Sequence, residues 1–281
     1  MSGAGQFLAR IADDRRRRVA EMKLATPPHL LRARLAPRRE GGRLERALRR
    51  ADAAAPLKLL CEVKRASPSK GMLNEHLDPV ALAKVFAAGG AAAISLVTEP
   101  DHFKGDLGWM SRVRPEVTVP LLLKDFVFDS YQLLDAAVRG ADGVLLLAAL
   151  LSETELQRLI GEAKVLGVDP LVEVHTLEEL NAALRAGATL VGINHRDLHT
   201  FELDLSLSSR LLPLIPRMVT AVAESGISKP EELARLRLTR CDAVLMGEVF
   251  ATAADPATTL ATLAAAARGE RPAAGGSDAA G

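Results

Sequence analysis

Aromatic residues make up only 3% of this 281-residue chain, with one Trp and one Tyr. Proteins that grip single-stranded nucleic acid stack bases on aromatic side chains, so this scarcity argues against such a platform. It also means the core must be built from Ala, Leu and Val. Cysteine is scarce too: Cys61 and Cys241 stand in apolar strand contexts with no CxxC spacing. Neither a zinc site nor a disulfide framework is expected, which suits a reducing cytoplasm. No apolar run approaches the 18 residues of a membrane span, and the first 18 residues lack the apolar core of a secretory signal. No Gly-x-Gly-x-x-Gly follows the first apolar strand, which weakens a dinucleotide-binding reading. The histidines form no metal cluster. His195 and His199 are four apart in a loop, and His175 follows Glu173 at the end of an apolar run with no third ligand beside them.

What the chain does have is an uneven charge. The formal net charge is +1, yet residues 1–50 carry 14 Lys/Arg against 5 Asp/Glu. A basic arm of this kind could meet nucleic acid or an anionic surface. The favoured reading is a solvated amphipathic helix: Phe7, Leu8, Ile11, Val19 and Met22 recur at helical spacing around a charged middle, Asp13–Arg18. Thr26-Pro27-Pro28 ends that helix, and a second basic region follows, broken by Pro37 and Gly41-Gly42.

From residue 57 the pattern changes. Short apolar runs at 58–64, 92–98, 120–126, 142–148, 169–174, 190–194, 218–224 and 243–247 alternate with helix-like segments. One segment opens at Asp78-Pro79, one spans 152–167, and one spans 176–187 with Gly187 at its C-terminal end. Strands alternating with helices imply βαβ units and a parallel sheet. Eight units within about 200 residues favour a closed (β/α)8 TIM barrel over an open sheet. The expected organisation is an N-terminal helical extension over 1–50, a catalytic barrel over 51–265, and a disordered Ala/Gly-rich tail over 266–281.

In such a barrel the chemistry sits at the C-terminal strand ends. The first run carries Glu62 and Lys64, which share a face because they are two apart. Later runs end in Lys124, Glu173, Asn194 with Arg196 just beyond, and Glu224. Each alone has an ordinary explanation as a surface pair or a turn. Converging on one mouth, they make a poor structural core and a plausible acid–base site. Ser67 in the loop SPSKG, together with Ser225, Gly226 and Gly247, offers hydroxyls and close backbone N–H groups for a phosphate.

The motifs CEVKRASPSKG, LLLKDFVFDSYQL, PLVEVHT, GINHRDLHTFELD and AESGIS together resemble the indole-3-glycerol phosphate synthase family, over about residues 5–262. Leu123 and His195 depart from the usual pattern, where Arg and Asn are common. The resemblance implies a soluble, cytoplasmic lyase of tryptophan biosynthesis that needs no cofactor. Its substrate would be the phosphorylated small molecule 1-(2-carboxyphenylamino)-1-deoxyribulose 5-phosphate, which undergoes ring closure, decarboxylation and dehydration. It implies Lys124 as the main acid, Glu173 as its acid–base partner, and Lys64 as an anion holder and acid in dehydration. Glu62 would orient Lys64 or act as base, Asn194 and Arg196 would position the substrate, and Glu224 would complete the charged ring. Ser67, Ser225, Gly226 and Gly247 would hold phosphate, with Phe103, Phe126 and Leu145 lining the aromatic slot. The extension would cover the mouth. Partners would be the substrate and, at most, other tryptophan-pathway enzymes, with neither nucleic acid nor membrane.

Overall fold

The computed structural model describes residues 3–36, 40–198 and 200–270. His199 and residues 271–281 of the expected tail lie outside the described residues. Eight parallel strands close into a barrel: β1 (Lys58–Val63), β2 (Ala93–Val97), β3 (Leu121–Lys124), β4 (Gly143–Leu147), β5 (Asp169–Val174), β6 (Leu190–Asn194), β7 (Thr220–Glu224) and β8 (Ala243–Met246). Each strand pairs with the next, and β1 closes on β8 in the register Leu60↔Leu245. The strands coincide with the eight apolar runs to within one or two residues at each end.

The alternation along each strand divides the core in two. In β1, Leu59, Cys61 and Val63 face the surrounding helices, in one cluster with Phe86, Trp109 and Phe250. Leu60 belongs to the other cluster, inside the barrel, with Leu122, Leu145, Leu171, Leu190, Val222 and Leu245. Leu123 sits in the outer cluster, so its departure from the family pattern is a packing matter away from the mouth. Helix starts follow local chemistry. Asp78 accepts from the N–H groups of Val80 and Ala81, and Ser152 with Glu155 forms a reciprocal capping box.

The N-terminal segment forms three helices, α1 (Gly3–Ala25), α2 (Pro28–Arg32) and α3 (Arg43–Leu48). They serve opposite ends of the barrel. α1 lies across the mouth, where Leu8 and Ile11 join the inner cluster. α3 plugs the other end with Leu44 and Leu48, both fully buried. Burying each such side chain contributes about 1.5–3 kcal/mol. α3 is held by Asp169 at the start of β5, whose carboxylate accepts from the N–H groups of Gly42, Leu44 and Glu45 at 2.6–3.0 Å.

The charged middle of α1 is not simply solvated. Arg15 is buried and makes a two-pronged bond to Asp125, 2.7 Å on each side. Arg18 pairs with Asp101 and Lys23 with Asp129. Three cations on one helix thus meet three aspartates beyond the ends of β2 and β3. At the other terminus the last helix, Pro256–Arg268, runs past residue 265 into the segment expected to be disordered.

Candidate active site

At the C-terminal strand ends a cavity of about 520 Å³ opens under α1. It is lined by Glu62, Lys64, Ser67, Phe103, Lys124, Phe126, Leu145, Glu173, Asn194, Arg196, Ser225, Gly226 and Gly247. Of the residues expected at the site, Glu224 alone does not line it. Its carboxylate is buried beneath Lys124.

Lys124 is the hub. Its Nζ donates to Glu173 Oε2 at 2.9 Å and to Glu224 Oε2 at 2.6 Å. Burial works against its charge, but Glu173, Glu224 and Glu62 outweigh that and raise its pKa. Glu173 is also held by Asn194, whose Nδ2 donates to Oε1 at 2.8 Å. Glu224 has no such second donor. Its Oε1 is buried without a hydrogen-bond partner. That oxygen presses on Gly192 of β6, where any Cβ would sit 1.9 Å away. Only glycine allows this approach. Burial pushes the Glu224 carboxyl up to about 7, Lys124 draws it down and Glu173 raises it further.

A second charged pair stands beside the hub. Lys64 Nζ lies 2.8 Å from Glu62 Oε1, and Ser95 Oγ donates to Glu62 Oε2 at 3.2 Å. Gly247 leaves room for Glu62, since a Cβ there would fall 2.6 Å from Glu62 Oε1. Its lack of a side chain therefore serves the carboxylate as well as the cavity wall.

The loop after β7 is unusual in its backbone. Ser225 and Gly226 both have positive φ, +66° and +73°. His195 accounts for part of this. It is buried, its Nδ1 donates to the Ser225 carbonyl at 2.9 Å, and its Nε2 accepts from Ser208 Oγ at 2.6 Å. Burial lowers its pKa, consistent with a neutral ring. In a trans peptide the N–H points opposite the C=O. Tying down the Ser225 carbonyl therefore turns the Gly226 N–H away from His195, which itself does not line the cavity. The second departure from the family pattern thus supports the site from behind.

Several lining residues had not been singled out from the sequence. Leu198, Phe201 and Leu203 come from the loop after β6, which folds back through a bridge between Arg196 and Leu203. Glu248 opens the short helix after β8, pairs with Lys70 and lies 3.8 Å from Arg196. Behind the lining, His175 lies 3.3 Å from Glu173, two residues along and on the same side. Apolar residues inside a polar loop, DLHTFEL, were the available signal for the first group. The contacts of Glu248 join segments far apart in the chain.

Among the described residues no group of three His, Cys, Asp or Glu is placed to hold a metal, and no helix is long and apolar enough to cross a membrane. What remains is a basin with two lysines, three buried carboxylates and an apolar slot. Such a basin can donate and accept protons beside a bound small molecule.

Comparison with known proteins agrees with this chemistry. A solved structure of 3-hexulose-6-phosphate synthase from Salmonella typhimurium superposes with a TM-score of 0.60 at 17% identity, covering 76% of this chain and all of that one. At that identity the likeness speaks for the barrel fold alone. The indole-3-glycerol phosphate synthase of Sulfurimonas denitrificans is 48% identical over 193 residues, 69% of this chain and 73% of that protein. The enzyme of the same name from Carboxydothermus hydrogenoformans is 42% identical over 264 residues, 92% of this chain and 100% of that protein. The family model for indole-3-glycerol phosphate synthase matches residues 8–263, and the chain belongs to that family.

Proposed function

We infer that this chain converts 1-(2-carboxyphenylamino)-1-deoxyribulose 5-phosphate to indole-3-glycerol phosphate, with loss of CO2 and water. The observation that carries the reading is a half-buried lysine, Lys124, bonded to two carboxylates on the floor of a cavity with an apolar wall. Ring closure needs a proton at the ribulose carbonyl oxygen, and Lys124 is the cation placed to give it. Glu173 is its acid–base partner. Lys64, steadied by Glu62, stands just past β1, with β2 between it and Lys124 on β3, and is assigned to an anionic group of the substrate and to departure of the hydroxyl. Arg196, whose Nη1 donates to the Phe201 carbonyl at 3.1 Å, is assigned with Asn194 to positioning and to the benzoate carboxylate.

Phe103 and Phe126, with ring centroids 6.2 Å apart, and Leu145 form the slot for the aromatic ring. Ser67, Ser225, Gly226 and Gly247 form the phosphate rim. General acid–base groups contribute about 10²–10⁴-fold each, so fixed geometry and electrostatics must supply the rest. In this reading the extension is residues 1–50, with α1 capping the mouth and α3 closing the opposite end, and the catalytic barrel is residues 51–265. Both cysteines are unpaired and buried, which fits the cytoplasm.

The test is direct turnover. Protein is mixed with the carboxyphenylamino-deoxyribulose phosphate without metal or cofactor, and indole fluorescence is followed. A saturable rise is expected. Lys124→Met should lower kcat by about 10²–10⁴-fold. Substrate bound but never turned over by the unaltered protein would overturn the reading.

A further inference from the structure

Strand β2 ends at Val97, and the chain then makes a tight loop over residues 98–105 whose centre is a carboxylate. Glu99 is buried, with 1% of its surface exposed. Its Oε1 accepts from the Asp101 N–H at 2.9 Å, and its Oε2 accepts from the N–H groups of His102 at 2.7 Å and Phe103 at 2.9 Å. Three consecutive amides therefore point at one side chain. Successive N–H groups turned to one centre form a nest for an anion, and here the chain supplies the anion itself. Glu99 lies on the cavity wall, but both of its oxygens accept from the loop backbone. It acts on the site through the loop.

The rest of the loop is built around that one fold. The Gly105 N–H donates back to the Glu99 carbonyl at 2.8 Å and closes the loop on itself. A Cβ on Gly105 would fall 2.2 Å from the Val97 carbonyl oxygen, so only glycine passes there. Lys104 beside it has a φ of +55°, which a lysine adopts only where its surroundings impose it. The three amides belong to no helix or strand. Without Glu99, three partly buried donors would lose their acceptor, and the backbone would turn them out to water.

The last residue of the nest is Phe103. Its ring lines the cavity, stands with its centroid 6.2 Å from that of Phe126, and packs on the inner cluster to which Leu8 and Ile11 belong. Its N–H is held by Glu99, and its carbonyl accepts from the Ala66 N–H at 3.2 Å, so the residue is pinned on both sides. On the outer side of the loop Asp101 meets Arg18 with both side chains partly exposed, and such a pair contributes little. The Glu99 carboxylate is the buried contact that decides where Phe103 stands.

Resting on the ring-closing function inferred above, we propose that Glu99 is a positioning residue for the aromatic slot: its carboxylate gathers the amides of Asp101, His102 and Phe103 and so fixes the Phe103 ring against the benzoate ring of the substrate. Glu99 touches no reacting atom. Ring closure forms a carbon–carbon bond between the aromatic ring and the ribulose carbonyl carbon, so a tilt of that ring moves one of the two bonding atoms. A misplacement of about 1 Å costs about 10²-fold in rate. The loss of Glu99 is therefore felt in kcat as well as in KM.

The test is a double-mutant cycle on the full chain, with a readout of the loop beside it. Glu99→Ala should lower kcat/KM about ten- to hundred-fold, and Phe103→Ala should lower it by a similar factor. In the Phe103→Ala background, Glu99→Ala should lower it by less than about two-fold more, because the residue through which it acts is gone. A general fold defect would lower activity equally in both backgrounds, so an additive result overturns the proposal. Glu99→Asp should recover most of the activity, since a carboxylate one methylene shorter still reaches amides two and three residues on. Glu99→Gln keeps an oxygen for two of the donors and turns its NH2 to the third. It should lower kcat/KM about five-fold, and it carries the cycle if Glu99→Ala does not fold. Hydrogen exchange and NMR need no turnover, which separates the proposal from the functional reading. In Glu99→Ala the amides of residues 101–103 should lose protection and the contact between the Phe103 and Phe126 rings should weaken, with the barrel strands unchanged. In Glu99→Asp both should remain. Protection of residues 101–103 that survives Glu99→Ala would sink the inference whatever the enzyme turns over.

Discussion

At the N-terminal end of the barrel, Asp142, Asp169 and Asp242 mark the starts of β4, β5 and β8, and both oxygens of each accept hydrogen bonds. Asp142 takes Arg43 on one oxygen, with Arg114 and the Leu121 N–H on the other. Asp169 takes three amides of the α3 turn. Asp242 takes the N–H groups of Arg50 and Ala221, with Arg240. At the C-terminal end two glutamates share one lysine, and an oxygen of Glu224 has no partner. Buried carboxylates are normally satisfied, so the bare oxygen of Glu224 marks the end where something beyond stability was selected. Counting donors per buried carboxylate separates the two ends without reference to any homologue.

The sharpest break in this comparison comes from Arg15, because its bond ties α1 to the residue next to the catalytic lysine. Asp125 also receives Thr98 Oγ1 at 2.8 Å, so it is well satisfied, yet it lies at the reactive end. Arg15→Met leaves that carboxylate buried without its cation, which should cost about 3–5 kcal/mol in a urea melt. It should also lower kcat/KM, since Leu8 and Ile11 lose their hold over the mouth. Adding Asp125→Asn should recover much of the stability but not kcat/KM. Recovery of both would mean that α1 contributes no more than stability.

The opposite end provides the control. Leu44→Ala in α3 opens space beside Gly143, whose position already allows no Cβ beyond the Leu44 side chain. It should cost about 2–5 kcal/mol. Measured well below its melting point, the variant should keep the unaltered kcat and KM, because effects at separated sites usually add. A drop in kcat comparable to that of Arg15→Met would show that the two ends are not independent.

The barrel was legible because its signals are local. Period-two strands, capped helices and their strict alternation can be read in any window of a dozen residues. The face shared by Glu62 and Lys64 was legible for the same reason, and so was the list of strand-end residues. The failures were contacts between distant segments. Nothing near Arg15 announces a partner 110 residues away, so a run of charge read as a solvated helix face. α3 showed a basic region with Gly41-Gly42 in front of it. That it plugs a barrel depends on Asp169, far along the chain. His175 is a different miss: two residues after Glu173 it has the same parity, and the rule that joined Glu62 to Lys64 would have placed it beside that carboxylate. Glu248 was not singled out at all, and it is the partner of Lys70 across the mouth.

That last pair predicts the smallest effect and refines what the mouth does with charge. Lys70 and Glu248 are both substantially exposed, so their ion pair is worth about 0–1 kcal/mol to stability. Its significance is position: Lys70 belongs to a short hairpin, Ala66–Ser67 against Gly71–Met72, beside the assigned phosphate rim, and Glu248 also neighbours Arg196. In the free protein, Glu248 occupies two cations that an incoming anion would meet. Glu248→Gln should leave the melting temperature nearly unchanged and lower KM by about two- to five-fold, the equivalent of about 0.5–1 kcal/mol. The gain should shrink as ionic strength rises from 0.01 to about 0.2 M, because exposed charges are screened. An unchanged KM at low salt would mean that neither Lys70 nor Arg196 faces the substrate's anionic groups. The donor count would then describe only the floor of the site, the Lys124 hub, and not its rim.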